Sequence, residues 1–176
     1  MLLFRSLFFL VFFGLLSLSA FAFKVDKVSL FKVSSGNYLL SLQFRDFPTQ
    51  EVLLALKRQI GEVLILYEIE FYRERFFRDE RISREVYYQR AGYIPEKNQY
   101  FFEDTFHRSL FNQPEDILPT LAYLQSYPLK GPSPERGLYL LIHITLKYRT
   151  HLNEDLRFTP KEREVILKTS IKYDRL

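Results

Sequence analysis

The stretch EVLILYEIEFYRERFF, residues 62–77, decides the fold because its apolar side chains alternate with other types. In an extended strand, successive side chains point to opposite faces of a sheet. One face is then apolar from Val63 to Phe71, while the other is apolar only at Leu64 and Leu66 and becomes acidic beyond them. A helix would also align several of these residues, but their β-branched and aromatic character favours a strand. The pattern predicts the central strand of a sheet that is buried on one face.

A hairpin and a helix are predicted before this strand. Residues 28–33 and 38–44 alternate and flank a turn cluster at residues 34–37, which predicts a β-hairpin. Residues 48–61 then change to helical spacing, with Thr49 as the expected N-cap.

The second half of the chain repeats this order. Residues 84–93 and 99–106 predict another hairpin, and residues 114–127 have a helical pattern. Pro119 would interrupt a helix that begins at Pro114, so its first turn is expected to be separate. A Pro/Gly loop precedes a second long apolar strand at residues 138–149. The order hairpin, helix, strand therefore suggests a pseudo-repeat.

The C-terminal segment carries two conflicting signals. Thr159–Glu162 matches a capping box with proline at the first helical position, whereas residues 165–173 alternate with period two. We expect one helical turn followed by a final strand. The predicted fold is α+β: a twisted, mainly antiparallel sheet with two helices packed on it.

The N-terminal residues 1–22 have the layout of a secretory signal peptide. Arg5 precedes an apolar run, and Ala20 and Ala22 supply the small residues of a cleavage site. The alternative is an uncleaved membrane anchor, since the run approaches the roughly 18 residues needed to span a bilayer. Cleavage near Ala22 would leave residues 23–176 as one globular domain, exported to the periplasm or cell envelope.

The composition limits the possible chemistry. The chain has no cysteine, no tryptophan and one methionine, so no disulfide holds the fold and no thiol nucleophile exists. The scarcity of labile residues also resembles the composition of thermophile proteins.

Acid/base pairs are present, but none forms a diagnostic motif. Glu68 and Glu70 lie two residues apart on one strand face, and Glu103, Asp104 and His107 form a second set. Acids that alternate along an exposed strand face are usually solvated. We predict no catalytic residues, no metal site and no cofactor; the alternative is a hydrolase with an unrecognised carboxylate/His site built from these residues.

Nucleic-acid binding is not expected, although arginines and aromatics are dense after Tyr67. Between Tyr67 and Arg90 six arginines face six acids, and phosphate binding needs an excess of positive charge. Cross-strand ion pairs are the predicted use of these charges.

An interaction surface is predicted near a turn at residues 78–82, because interfaces are enriched in aromatics beside arginine. Its candidate residues are Phe76, Phe77, Tyr87, Tyr88, Arg75 and Arg78. The alternative is that the aromatics close one end of the core. The expected partner is an envelope protein or a hydrophobic ligand.

Residues 143–176 carry eight Lys/Arg against five acids, so this basic C-terminal segment could also contact a membrane surface; a solvated edge strand is the alternative.

The chain resembles an uncharacterised family of exported bacterial proteins, a domain of unknown function. The resemblance rests on the apolar N-terminus, the YEIEFYR strand followed by arginine and paired aromatics, and the segments PEDILPTLAYLQSY and LYLLIHITLKYR. Phe76 and Phe77 stand where members often have tryptophan, and the tail after Leu156 does not match. Members are often encoded near a nitrogen-regulation-type sensor kinase, which implies an envelope role tied to signalling but no catalytic residues.

Overall fold

The computed structural model describes residues 23–59, 61–133, 136–152 and 158–170. The predicted signal peptide, residues 1–22, lies outside this part of the chain. Within it, no helix has the length and apolarity required to cross a membrane.

Nine strands and two short α-helices make up the described chain. In order they are β1 (Lys24–Ser34), β2 (Asn37–Arg45), α1 (Thr49–Lys57), β3 (Val63–Arg73), β4 (Glu80–Ile94), β5 (Gln99–Asp104), β6 (Arg108–Phe111), α2 (Leu118–Leu121), β7 (Tyr123–Lys130), β8 (Leu138–Leu152) and β9 (Phe158–Ser170). Short 3₁₀ turns occupy Pro95–Lys97 and Pro114–Ile117. The strands form a three-stranded sheet, order β1-β2-β7, and a six-stranded sheet, order β6-β5-β4-β3-β8-β9. The pairings are antiparallel, so the predicted α+β class is confirmed, with the strands divided between two sheets.

Strand β3 lies in the interior of the larger sheet, between β4 and β8. Its side chains alternate between buried and half-buried along the strand, and Val63 and Ile69 are fully buried. The predicted central strand with one buried face is therefore confirmed. It ends at Arg73 rather than near Phe77, because the next residues form the connection to β4.

The core lies between the two sheets. Tyr38 of β2 packs on Phe71 of β3 with ring centroids 5.6 Å apart, and Phe44 packs on Tyr67 at 6.4 Å. Helix α1 adds buried Val52, Ala55 and Leu56. Each large apolar side chain removed from water in this way contributes about 1.5–3 kcal/mol.

The helix predicted over residues 114–127 is only partly correct. The first turn is a separate 3₁₀ turn, as Pro119 suggested, and α2 covers only Leu118–Leu121. From Tyr123 onward the chain is strand β7, whose Leu124 and Leu129 are buried beside β2. Pairing with β2 is favoured over a longer helix because it satisfies the backbone N–H and C=O groups and buries these side chains together. The predicted pseudo-repeat is not reproduced, because β6 and β7 in the second half have no counterpart in the first and the two hairpins lie in different sheets.

Two local predictions of helix capping are wrong. The helical turn predicted at Thr159–Glu162 is part of the continuous strand β9, where Pro160 is tolerated because β9 is an edge strand. Thr49 makes no capping hydrogen bond to α1; its hydroxyl donates to the carbonyl of Phe47 instead.

The outer face of the larger sheet carries the predicted cross-strand ion pairs. Arg84 contacts Glu68 at 2.6 Å, and Arg81 contacts Glu70 at 2.8 Å. Because the arginines are about half exposed, each pair adds at most about 1 kcal/mol. Their main consequence is that this face is electrically balanced.

Candidate functional site

The connection between β3 and β4, Glu74–Asp79, carries the most exposed aromatic side chains described. We call this loop the tip. Phe76 is 94% exposed and Phe77 95% exposed, and their rings meet edge to face with centroids 4.8 Å apart. These phenyl rings therefore do not close the end of the core.

The tip is held by hydrogen bonds at its own ends. The Asp79 carboxylate accepts a weak bond from the backbone N–H of Arg75 at 3.4 Å and one from the Tyr139 hydroxyl at 2.7 Å. The Arg75 guanidinium donates to Glu80 at 2.8 and 3.1 Å. These contacts order the loop while its two phenyl rings remain in water.

Two other connections meet the base of the tip. The Glu74 N–H donates to the carbonyl of Gly137 at 2.8 Å, at the end of the β7–β8 loop. That loop is bound in turn to the β1–β2 turn, through Gly131 N–H to the Gly36 carbonyl at 2.9 Å. The tip, the β7–β8 loop and the β1–β2 turn therefore form one end of the domain, which we call the tip end. Phe31 and Val33, both exposed, lie on β1 just before this turn.

A pair of stacked tyrosines lies beneath the tip. The rings of Tyr72 and Tyr139 are 5.3 Å apart and nearly parallel. Burial and the hydrogen bond to Asp79 raise the pKa of Tyr139 to about 12, and burial and the bond to Glu70 raise the pKa of Tyr72. Both hydroxyls therefore remain neutral donors at physiological pH.

The six predicted interface residues do not share one surface. Phe76, Phe77, Arg75 and Arg78 belong to the tip, but Tyr87 is 3% exposed and packs on Tyr127 in the core. Tyr88 lies on the opposite face, where its hydroxyl donates to Glu103 at 3.2 Å. The prediction was wrong for Tyr87 because neighbouring strand residues face opposite sides. It also placed this tyrosine pair at the turn, whereas Tyr87 lies seven positions after Glu80 along β4.

A second candidate site is a cleft of about 530 Å³ between β4, β5 and the start of β7. Its walls include Tyr87, Gln89, Phe102, Asp104, His107 and Tyr123. No local motif predicts it, because its walls come from segments that are distant in sequence.

A buried carboxylate organises one side of this cleft. Asp104, 8% exposed, accepts hydrogen bonds from the backbone N–H groups of Phe106 and His107 at 2.8 and 3.0 Å and from the Tyr87 hydroxyl at 3.1 Å. The imidazole Nδ1 of His107 lies 3.0 Å from the same carboxylate. Burial and then the Asp104 charge raise the pKa of Tyr87. Asp104 thus fixes the turn between β5 and β6.

A second hydrogen-bonded pair joins Gln89, which lines the cleft, to the core. The fully buried Tyr67 donates its hydroxyl to Gln89 Oε1 at 2.7 Å. The Gln89 amide reaches the carbonyl of Thr120 at 3.4 Å. The polar groups of Tyr67, Gln89 and Thr120 therefore hydrogen-bond to one another.

The proposed acid/base residues are divided between the two faces of the sheet. Asp104 and His107 meet in the cleft, whereas Glu68, Glu70 and Glu103 lie on the outer face, where each engages an arginine. The five-residue hydrolase site is therefore reduced to one Asp–His pair. In the described part of the chain, no group of three or more acidic or histidine side chains is placed to hold a metal ion.

The chain matches no family model, no curated protein and no solved structure. The resemblance to exported bacterial proteins therefore stays a prediction.

Proposed function

We propose that this chain is a non-enzymatic binding domain of the bacterial envelope, and that the tip end contacts its partner. The partner class is an envelope protein or a hydrophobic ligand. The observation that carries the proposal is the pair of almost fully exposed phenyl rings, Phe76 and Phe77, on an ordered loop. Large apolar groups exposed together typically mark an interaction site.

The surroundings of the tip support binding. Aromatic side chains and arginine are the residue types that interfaces favour, and the tip presents both. Because Asp79 and Glu80 already order the loop, binding loses little conformational entropy. The Asp104 carboxylate in the cleft already accepts three hydrogen bonds, which supports a structural role without catalysis.

Photo-crosslinking in the native envelope tests the proposal. A photoreactive phenylalanine analogue is placed at position 76 or 77, and the same analogue at Ile166 serves as the control. Ile166 is 65% exposed but lies on the outer face of the edge strand β9. We expect adducts from the tip positions and few from position 166. Equal adducts from all three positions, or none from the tip, would refute the tip as the contact surface.

A hydrolase is the second candidate, and the Asp104–His107 contact beside a cleft is the observation that favours it. A buried carboxylate that holds one imidazole nitrogen leaves the other to exchange a proton with a substrate or water. The test is a panel of ester, peptide and glycoside substrates with the wild type and His107→Gln. A hydrolytic activity that His107→Gln abolishes at unchanged thermal stability would establish this candidate. Equal rates for the two proteins, or no activity, would reject it.

A further inference from the structure

We propose that the tip inserts the rings of Phe76 and Phe77 into the interface of a lipid bilayer. This inference rests on the proposed function, because it takes the tip end as the contact surface and assigns its ligand. The ligand is the boundary between phospholipid headgroups and acyl chains.

The chemical layers of the tip follow the layers of a bilayer surface. The phenyl rings are outermost, and Arg75 and Arg78 belong to the same loop. The stacked Tyr72 and Tyr139 lie beneath, with hydroxyls bonded to carboxylates. Phenylalanine partitions into the acyl boundary, whereas tyrosine and arginine are stable at headgroup level.

The size of the apolar area favours lipid over a protein surface. Two phenylalanine side chains offer roughly 300–500 Å² together. A standard protein interface buries roughly 800 Å² on each partner. The tip is a loop of six residues, so its phenyl pair alone is short of a stable protein interface. An interfacial anchor, in contrast, needs only apolar side chains that can enter the acyl boundary.

The charges of the tip predict the lipid preference. Arg73 and Arg75 contact Glu80, and Arg81 contacts Glu70. Residues 70–81 carry four arginines and four acids, but Arg78 has no ion pair within the described residues. One arginine that can reach a headgroup phosphate gives about fivefold preference for an anionic surface. Insertion should therefore depend mainly on the phenyl rings and only weakly on salt.

Vesicle binding tests the proposal with the processed protein. The full chain is expressed, the exported form is purified, and its N-terminus is identified by mass spectrometry. The probes are vesicles of phosphatidylcholine alone and vesicles with about one-third phosphatidylglycerol. We expect co-sedimentation with both and about fivefold tighter binding to the second. Phe76→Ser and Phe77→Ser should each weaken binding about tenfold or more, because each removes a phenyl ring that enters the bilayer.

The absence of tryptophan provides a direct readout of insertion. Phe77→Trp introduces the only indole, whose emission should shift to shorter wavelength when vesicles are added. Ile166→Trp is the matched control, exposed on β9, and should show no shift.

Two results would overturn lipid insertion: no sedimentation of the wild type, or a shift at position 166 but not at 77. If sedimentation fails while the photoreactive tip still crosslinks a protein, the tip remains the contact surface and only the lipid assignment is lost. If crosslinking from the tip also fails, the proposed function is lost with it.

Discussion

Gly131→Ala tests how the tip end is packed. A Cβ atom at position 131 would lie 2.5, 2.7 and 2.9 Å from Cζ, Cε1 and Cε2 of the Phe71 ring. Phe71 is 1% exposed and packs on Tyr38 of the three-stranded sheet. The Gly131 backbone is bonded to the Gly36 carbonyl. Neither the ring nor the loop can therefore move away without breaking a contact.

The expected magnitude follows from this overlap. Carbon atoms in contact normally lie about 3.5–4.0 Å apart, so the new methyl group is about 1 Å too close. Overpacking of this kind costs about 1–3 kcal/mol. For a domain of this size, each kcal/mol lowers Tm by about 2–4 °C, so Gly131→Ala should lower Tm by about 2–12 °C.

Urea and thermal denaturation of a double-variant set provide the assay. Phe71→Leu removes the end of the ring, so it should recover at least about 1 kcal/mol of the Gly131→Ala loss as a coupling energy. Gly137→Ala is the control: its φ of +77° strains any side chain, but the nearest atom lies 3.4 Å away. Phe71→Leu should not rescue it. A Gly131→Ala protein as stable as wild type, or equal rescue of both alanines, would refute the assigned contact.

Three further perturbations test the cleft and the tyrosines. Tyr67→Phe deprives the buried Gln89 oxygen of its donor and should lower the unfolding free energy by about 1–3 kcal/mol; an unchanged urea midpoint would contradict this bond. Asp104→Ala removes the acceptor of the Tyr87 hydroxyl and of two backbone N–H groups and should cost about 3 kcal/mol, of which Asp104→Asn should recover part; equal losses would argue against these bonds. The pKa of Tyr139, raised to about 12, means that folding favours its neutral form, so its contribution is complete below pH 10 and is lost as the pH rises through 12. Tyr139→Phe should flatten that decline in Tm against pH, and an unaltered decline would contradict the shift.

The predictability of each strand depends on how local its signal is. Strand β3 could be predicted because its apolar residues alternate over the whole strand, and this pattern needs no knowledge of partners. Strand β7 could not, because Ser126 has a positive φ of 52° and shifts the register against β2. The irregularity buries Leu124 and Tyr127, which are three residues apart, a spacing that also fits a helix. Their burial depends on β2, a strand more than 80 residues earlier.

The candidate site also combines features with a local sequence signal and features that depend on distant parts of the chain. The tip was visible in the sequence, since Phe76 and Phe77 follow directly after the point where the strand becomes charged. Tyr87 was misplaced although its alternation with Gln89 and Ala91, all buried, indicates the inner face. The cleft could not be predicted as a cleft, because Thr120 and Tyr123 approach Asp104 only through the pairing of β7 with β2. Only the spacing of Asp104 and His107 could be recognised from neighbouring residues, and this spacing suits a side-chain-capped turn.

The tip and the cleft are far enough apart to be tested independently. Tyr87 lines the cleft and lies seven positions along β4 from Glu80 at the base of the tip, which is roughly 23 Å of strand. Effects of substitutions more than about 10 Å apart normally add. His107→Gln should therefore leave vesicle binding unchanged, and the combined Phe76→Ser and Phe77→Ser variant should leave any hydrolytic rate unchanged. If His107→Gln instead weakens vesicle binding, strands β3 and β4 must transmit a change between the two ends. The tip and the cleft would then be parts of one functional site.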